Sequence, residues 1–442
     1  MTDRSHLERR RKLLTATVTD FDVERQRAFL IGVVTSTSDI PEAETSIAEL
    51  ALLTDTAGSV PIFDVVVRRD SLDAGTLIGR PRAEALAQEA TSLDVDVVVF
   101  DRELSPGQQR NLQEIFECDV VDRVGLILDI FAQHAHSSDG MLQVELAQHR
   151  YRLPRLRGQG QMLSRQGGGV GGSGIGTRGP GETKLETDRR RILDRIRKVE
   201  GLLVDLVGDR KTRSKSRRKA GLPLLSLVGY TNAGKSTLFN ALTGADVLVE
   251  DRLFATLDST VRKLALPNGH DALASDTVGF VRNLPHQLVK AFQATLEEVG
   301  DADVLLHIVD ASDSDPDRQI DSVREVLREI GAGDIDELVV FNKIDIADGV
   351  AVDRLLALYP GSVAVSAVTG DGLDGLLEAA LEALRAGTVE LNLLVPYANG
   401  DVVARLHDAA EVLSLDHDQE GTLVTVLVPA ADVGLYEAYV RS

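Results

Sequence analysis

The hydrophobic positions of the first 150 residues alternate between short apolar runs and amphipathic stretches. Runs rich in Val, Ile and Phe at residues 28–34, 60–68 and 95–100 predict buried strands. Residues 42–53 and 82–91 carry apolar side chains at helical spacing and predict helices between those strands. An alternating strand–helix order is typical of a parallel sheet covered by helices, and we predict that fold for this segment.

A helical hairpin is predicted to follow. Residues 126–146 have a mostly helical pattern that continues towards Leu153, and residues 183–219 have a second one. In the second pattern, apolar residues recur at alternating spacings of four and three: Ile192, Ile196, Val199, Leu203 and Leu206. Such a seam requires a partner helix, most simply the one that ends near Leu153. Residues 158–181 include 11 glycines among 24 residues; we interpret them as the hairpin tip, with a flexible linker as the alternative.

From residue 222 the alternation of strands and helices resumes. Strands are predicted at residues 224–228, 271–275, 304–309, 338–341 and 363–365, and helices at 288–299, 322–330 and 373–386. The last part of the chain predicts a smaller unit: a strand at 391–395, a helix at 401–409, a strand pair at 411–415 and 422–428, and a closing helix at 432–440.

Composition narrows the class of protein. Hydrophobic residues make up 43% of the 442 residues, enough for several cores, yet no apolar run approaches the ~20 residues of a membrane helix. The first residues lack the apolar centre of a signal peptide, and Cys118 is the only cysteine, which excludes an intrachain disulfide. We therefore expect a reduced, cytoplasmic setting and no membrane span.

Charge is unevenly distributed along the chain. The net charge is −21, but residues 150–219 hold 20 Lys and Arg against 7 Asp and Glu, a local net charge of +13. The rest of the chain is strongly acidic and poor in lysine, which favours a cytoplasm of very high salt, with simple solubility as the alternative. The basic segment is the part of the chain suited to a polyanionic partner.

One octapeptide fits the phosphate-binding pattern G-x-x-x-x-G-K-[ST], between a predicted strand and a predicted helix. Glycine permits the backbone conformations that turn N–H groups towards phosphates, and the helix N-terminus adds partial positive charge. Lys235 is expected to reach the β- and γ-phosphates, and the Ser236 hydroxyl to bind Mg²⁺. The predicted phosphate-binding residues are Gly229, Tyr230, Thr231, Asn232, Ala233, Gly234, Lys235 and Ser236.

Three further motifs follow in the order found in guanine-nucleotide sites. The first fits D-x-x-G after a strand and consists of Asp276, Thr277, Val278 and Gly279. We expect Asp276 to hold Mg²⁺ through a water, and the Gly279 amide to contact and stabilise the transferring γ-phosphate. The second fits N-K-x-D: Asn342, Lys343, Ile344 and Asp345. The third, whose backbone is expected to contact guanine O6, is Ser366, Ala367 and Val368.

The N-K-x-D motif predicts the base. Its Asp345 carboxylate can accept two hydrogen bonds from guanine N1 and N2, and we expect the Lys343 stem to pack over the base and Asn342 to tie the loops together. Adenine lacks that pair of donors, so a buried Asp345 would be left unpaired, which allows discrimination of roughly 10⁴-fold. The sequence therefore predicts GTP as the nucleotide.

The predicted fold class is α/β and multidomain. It comprises an N-terminal α/β domain at 1–154, a basic helical hairpin with a glycine-rich loop at 155–220, a P-loop G domain with a mostly parallel sheet at 221–388, and a small C-terminal α+β domain at 389–442.

These motifs, with longer strings outside the G domain, resemble the HflX family of translational GTPases. The resemblance spans residues 25–390 and rests on residues 100–112, 129–133, 142–148, 174–183 and 188–190, together with residues 229–236, 276–280 and 342–345 of the G domain. It also covers a switch-loop string of Phe254, Ala255, Thr256, Leu257 and Asp258. The match to that string implies that Thr256 is a second Mg²⁺ ligand.

The resemblance implies a GTPase that binds the large ribosomal subunit in its GTP state and is stimulated there, in rescue, splitting, hibernation or assembly. The basic hairpin at 155–220 is the expected rRNA contact, because an acidic body would be repelled by RNA phosphates. We expect a monomer that does not bind DNA. The alternatives are an Obg-like or RNA-modification-linked GTPase that does not act on ribosomes, and a GTP-binding regulator with negligible turnover.

Hydrolysis without a partner is expected to be slow. Ras-type enzymes place after D-x-x-G a Gln that orients the attacking water, whereas this chain has Phe280, whose ring cannot polarise water. Asn232 offers a compensating group, since the asparagine of G-x-x-N-x-G-K-S coordinates K⁺ in several GTPases. The alternative is that Asn232 only hydrogen-bonds the neighbouring switch loop. We predict no certain catalytic residue besides the phosphate-stabilising Lys235 and Gly279.

Overall fold

A computed structural model of the protein describes residues 25–156, 180–219, 222–245, 253–254, 259–267, 269, 271–282, 299–429 and 432–441. Of residues 180–185, 207–219, 407–409 and 429 it describes the backbone alone. The described strands form three sheets, which follow one another along the chain. The described part contains no helix that is both long and apolar enough to cross a membrane.

The first sheet has four parallel strands in the order β2-β1-β3-β4. Strand β1 is buried along almost its whole length because helices cover both faces of the sheet. The predicted strands and helices are present, and one further helix and strand, α3 and β4, follow them. The elements are β1 (Arg27–Val34), α1 (Ile40–Thr56), β2 (Val60–Arg68), α2 (Arg80–Ser92), β3 (Val97–Phe100), α3 (Pro106–Phe116), β4 (Asp119–Asp122) and α4 (Arg123–His134).

Two long helices pack against each other as the predicted hairpin. The helical pattern from residue 126 is interrupted, because Ser137 accepts a hydrogen bond from Gly140 N and begins a new helix, α5 (Ser138–Arg155). Helix α6 (Pro180–Lys219) packs on α5. Their shared core confirms the predicted seam for four of its five residues, with Leu206 outside the cluster: Leu142, Leu146, Leu153, Ile192, Ile196, Val199 and Leu203. The predicted tip lies outside the described residues.

The second sheet has six strands in the order β10-β9-β8-β5-β7-β6, all parallel except β6, which runs antiparallel to β7. The predicted strands are confirmed. The strand Thr260–Ala265 (β6) and the helix Gly349–Leu358 (α9) were not predicted. The helix predicted at 322–330 begins six residues earlier, at Pro316 (α8), with Asp315 as its cap. The predicted helix at 288–299 lies outside the described residues except for Val299. The elements are β5 (Leu224–Gly229), α7 (Lys235–Thr243), β6 (Thr260–Ala265), β7 (Asp271–Asp276), β8 (Val304–Asp310), α8 (Pro316–Glu329), β9 (Asp336–Asn342), α9 (Gly349–Leu358), β10 (Val363–Ala364) and α10 (Leu373–Ala386).

The third sheet is a three-stranded antiparallel sheet, with β13 between β11 and β12. The predicted closing helix at 432–440 is wrong in length: it is a four-residue helix followed by a 3₁₀ turn. Val433, Tyr436 and Tyr439 face the core at intervals of three, a spacing that suits the tighter turn. The elements are β11 (Thr388–Val395), α11 (Gly400–Ala409), β12 (Glu411–His417), β13 (Thr422–Pro429) and α12 (Val433–Tyr436).

A continuous apolar cluster joins the first two sheets. It includes Leu50 of α1 and Phe131 of α4 from the N-terminal part, and Tyr230, Phe254 and Phe280 from the motifs of the second sheet. Phe131 and Phe254 meet edge to face, with ring centroids 4.6 Å apart. The N-terminal helices therefore pack directly on segments predicted to bind nucleotide.

Candidate GTP-binding site

The phosphate-binding loop connects β5 to α7 at the carboxyl edge of the second sheet. Gly234 has φ +89, and a Cβ there would lie 2.3 Å from the Asn342 side-chain nitrogen, so only glycine fits. The loop is also held by the D-x-x-G segment, since Thr231 N donates to Phe280 O at 2.7 Å and Phe280 N donates to Gly229 O at 3.1 Å. The loop and the segment after Gly279 thus form one backbone unit.

Lys235 points back into the loop. Its ammonium donates to the carbonyl oxygens of Gly229 at 3.1 Å and Tyr230 at 2.8 Å. Burial lowers the pKa of Lys235 to about 8, and the nearby Asp276 carboxylate only partly offsets that effect. A buried ammonium that donates only to neutral carbonyls can donate stronger hydrogen bonds to the charged oxygens of a phosphate.

Two predicted magnesium-shell groups touch each other. The Ser236 hydroxyl donates to Asp276 Oδ2 at 2.6 Å, joining the phosphate-binding loop to the end of β7. Thr277 anchors the same segment because its hydroxyl donates to Leu227 O at 2.6 Å, and Val278 is buried beside it. Oxygen ligands of this type are those that Mg²⁺ prefers.

Gly279 packs closely against two of the predicted phosphate-binding residues, Thr231 and Lys235. A Cβ on Gly279 would lie 2.7 Å from Thr231 Cγ2 and 3.0 Å from Lys235 Nζ, so only a residue without a side chain allows this close approach. The Thr231 hydroxyl is buried there and has no hydrogen-bond partner among the described residues. A buried donor without a partner is costly, and a phosphate oxygen would satisfy it.

Asn342 ties three motifs together, as expected from the sequence. Its Nδ2 donates to Ala233 O of the phosphate-binding loop at 2.9 Å, and its Oδ1 accepts from Ala367 N at 3.0 Å. Asn342 is buried, so both hydrogen bonds are shielded from water.

The remaining base-recognition residues surround that connection. Asp345 is exposed, and its Oδ1 accepts from the buried Ser366 hydroxyl at 2.7 Å, so its burial beneath a bound base stays a prediction. Lys343 pairs with Asp310 at 2.7 Å. Ile344 is partly buried, and Val368 is 78% exposed at the mouth of the site.

The switch-loop residues are only partly described. Phe254 is buried against Phe131, whereas Ala255, Thr256, Leu257 and Asp258 lie outside the described residues. Phe280 is 2% exposed in the apolar cluster shared with the N-terminal helices, which accounts for an apolar residue at this position. Asn232 is exposed, with φ +61.

Sequence patterns did not reveal a set of buried polar residues behind the loop. Glu49 of α1 accepts a hydrogen bond from the Tyr230 hydroxyl and pairs with Arg123, which also pairs with Asp101. A weak signal existed: Glu49 lies on the helix face that also carries Ser46, Leu50 and Leu53, all buried. A charged residue on a buried stripe implies a partner.

Three family models match successive parts of the chain. Residues 44–132 match a model described as GTP-binding GTPase N-terminal, residues 134–217 match GTP-binding GTPase Middle Region, and residues 225–343 match 50S ribosome-binding GTPase. A GTPase HflX of Caldanaerobacter subterraneus subsp. tengcongensis is 44% identical over 91% of this chain and 90% of the relative. The chain belongs to the HflX family of GTPases.

Other HflX proteins are similar over comparable lengths. The GTPase HflX of Escherichia coli is 41% identical over 87% of this chain and 90% of the relative. A solved GTP-binding protein from the hyperthermophilic archaeon Sulfolobus solfataricus, in complex with GDP, aligns over 81% of this chain and 98% of that chain, with 24% identity and a TM-score of 0.41. Membership of the HflX family confirms that the chain is a GTP hydrolase whose nucleotide is GTP, and Mg²⁺ is the metal ion typical of such GTPases.

Proposed function

We propose that this HflX GTPase binds the large ribosomal subunit in its GTP state and that the subunit accelerates its hydrolysis of GTP. The basic hairpin of an otherwise acidic chain carries this proposal, since residues 150–219 have a net charge of +13 within a total of −21. The match of residues 225–343 to the 50S ribosome-binding GTPase model supports it. RNA phosphates attract such a segment and repel the rest of the chain.

In the described part of the hairpin, α6 carries exposed basic side chains and is joined to α5 by ion pairs. Arg189, Arg190 and Lys198 of α6 are exposed, so their charges face solvent. Arg195 binds both carboxylate oxygens of Glu145 on α5, and this pairing lowers the pKa of Glu145. We propose that the ion pairs between α5 and α6 hold the two helices together. The exposed basic residues would then contact the phosphate and 2′-hydroxyl groups of rRNA.

We propose the following roles at the nucleotide. Ser236 and Thr256 would hold Mg²⁺, with Asp276 acting through a water, and the ion would neutralise phosphate charge. Lys235 and the Gly279 amide stabilise the transferring phosphate. Asn232 binds K⁺, and its exposed position in the loop supports that role. Equal hydrolysis rates in K⁺ and Na⁺ would contradict the assignment of Asn232.

The domain division into 1–154, 155–220, 221–388 and 389–442 stays a proposal, supported by the three separate sheets. We also propose a monomer that acts in the cytoplasm. Because Phe280 is buried and carries no group that orients water, we propose slow hydrolysis by the free protein.

Cosedimentation with purified large subunits tests the proposal. We expect binding with a non-hydrolysable GTP analogue, weaker binding with GDP, and a GTPase rate that rises when subunits are added. The triple variant Arg189→Ala, Arg190→Ala, Lys198→Ala should lose most of the binding and weaken its dependence on salt concentration.

The matched control replaces three exposed arginines elsewhere: Arg68, Arg354 and Arg405, each at least half exposed. That variant should bind subunits normally. Equal loss of binding in both triple variants would show that only net charge matters. Unchanged binding by the hairpin variant would refute the hairpin as the contact.

A further inference from the structure

A hydrogen-bonded tether joins the N-terminal helix α1 to the nucleotide site. The Tyr230 hydroxyl donates to Glu49 Oε1 at 2.5 Å and accepts from the backbone N–H of Arg282 at 2.6 Å. Arg282 N also lies 3.4 Å from Glu49 Oε1. Tyr230 belongs to the phosphate-binding loop, and Arg282 lies three residues beyond Gly279. One N-terminal carboxylate therefore connects the two segments that contact phosphate.

The Glu49 carboxylate is also held by an ion pair with Arg123. Glu49 Oε2 pairs with Arg123 at 2.6 Å, and Arg123 pairs with Asp101 at 2.7 Å. The Arg123 side chain is 3% exposed and that of Glu49 is 11% exposed. Burial opposes the charged guanidinium, but the two carboxylates outweigh burial and raise the pKa of Arg123. Moving Glu49 away would remove one of the two carboxylates that pair with this buried guanidinium, which favours a fixed position for Glu49.

Tyr230 is suited to transmit that fixed position. Burial and the Glu49 carboxylate raise the pKa of Tyr230, so its hydroxyl keeps the proton that it donates. The residues on either side, Gly229 and Thr231, exchange backbone hydrogen bonds with Phe280. The Tyr230 hydroxyl adds a third connection, to Arg282. Gly279 lies in the segment between Asp276 and these connections. It packs so closely on Lys235 that a Cβ on Gly279 would lie 3.0 Å from Lys235 Nζ.

We propose that Glu49 is a positioning residue for GTP hydrolysis, acting through the Tyr230 hydroxyl to hold the Gly279 amide beside Lys235. This inference rests on the proposed contact of Gly279 with the γ-phosphate, but not on ribosome binding. GDP has no γ-phosphate. Loosening the tether should therefore weaken the binding and hydrolysis of GTP, and leave the binding of GDP unchanged.

The test uses the full chain without ribosomes and compares Tyr230→Phe, Glu49→Gln and the double variant. Single-turnover hydrolysis and the affinities for GDP and a non-hydrolysable GTP analogue are measured. We expect each single variant to lower the hydrolysis rate about tenfold, since a displaced backbone donor weakens stabilisation of the transferring phosphate. The double variant should be no slower than the slower single variant, because both changes remove the same tether.

Tyr359→Phe is the matched control, because the Tyr359 hydroxyl donates to the Asp317 carboxylate at 2.7 Å, outside the nucleotide motifs. It should hydrolyse GTP at the normal rate. Tyr230→Phe removes a single oxygen, so it stays informative even if Glu49→Gln fails to fold.

Unchanged hydrolysis in Tyr230→Phe, additive losses in the double variant, or an equal loss of GDP affinity would each overturn the proposed role of Glu49. Gly279→Ala separates this outcome from failure of the underlying assignment. The Gly279→Ala methyl group would crowd Thr231 and Lys235 Nζ, so normal hydrolysis by this variant would show that the γ-phosphate is not held at Gly279. If Gly279→Ala is slow and Tyr230→Phe is normal, the close packing of Gly279 on Lys235 matters for hydrolysis and the tether does not.

Discussion

The Ser236 hydroxyl donates a 2.6 Å hydrogen bond directly to the Asp276 carboxylate, across the two strands that carry the phosphate-binding loop and the D-x-x-G motif. Strands β5 and β7 are hydrogen-bonded neighbours, so their carboxyl ends bring the two side chains together. In the proposed roles both groups serve one Mg²⁺, the serine directly and the aspartate through a water.

Ser236→Ala tests this arrangement. The substitution removes a proposed Mg²⁺ ligand and the hydroxyl that orients Asp276. Loss of even an outer-shell partner lowers metal affinity roughly 10–100-fold. We therefore expect the Mg²⁺ concentration that gives half of its effect on nucleotide binding to rise at least about tenfold. Titration of Mg²⁺ with a fluorescent GDP measures this change. Ser38→Ala, which removes a serine donor to Asp39 in the N-terminal part, should leave the titration unchanged.

The lowered pKa of Lys235 predicts how nucleotide affinity depends on pH. Burial brings this pKa to about 8 in the protein alone, whereas phosphate oxygens favour the charged ammonium and should raise it in the complex. Above pH 8 binding must therefore take up a proton, so affinity should fall as pH rises, by up to about tenfold per pH unit.

Affinity for GDP measured between pH 6.5 and 9 tests this prediction. Lys235→Arg provides the comparison, because a guanidinium stays charged over the whole range. Its affinity should be lower at every pH and should change little with pH. A wild-type affinity that is flat up to pH 9 would contradict the lowered pKa of Lys235.

The nucleotide motifs could be predicted from the sequence because each needs particular residue types at fixed spacing. Gly234 illustrates the reason: its positive φ and its contact with Asn342 leave room for no other residue. Strands with continuous apolar runs, such as β1 and β8, were also predicted closely because both faces of a parallel sheet are buried.

Short or polar elements were missed because they bury few side chains. Helix α3 buries only Leu112 and Phe116, so its apolar pattern is weak, although Ser105 and Gln108 form a capping box that could have marked its start. The Glu49–Tyr230 contact joins residues 181 positions apart, and no local pattern specifies such a pair. The burial of Phe280 depends on the same packing of N-terminal helices.

Asp345→Asn tests base selection. An asparagine side chain presents one acceptor and one donor, which matches the N1–H and C2 carbonyl of xanthine instead of the two donors of guanine. Its oxygen can still accept from the Ser366 hydroxyl, so the loop should keep its shape. We expect GTP affinity to fall by roughly 10³-fold or more and XTP to become the preferred nucleotide. Asp353→Asn, at an exposed position of α9, should retain the preference for GTP.

The apolar seam of the hairpin provides a test of how firmly α5 and α6 are joined. Val199 is fully buried in the cluster with Leu146 and Ile196, whereas Val204, further along α6, is 71% exposed. Val199→Ala removes two buried methyl groups and leaves a cavity, so the free energy of opening the helix pair should fall by about 1–3 kcal/mol. Val204→Ala removes the same atoms from a solvent-exposed position and should change this free energy by no more than about 0.5 kcal/mol.

Hydrogen exchange of the α5 and α6 amides measures both values. Similar exchange in the two variants would mean that α6 is stable without its partner helix, and that the hairpin is not held by this seam.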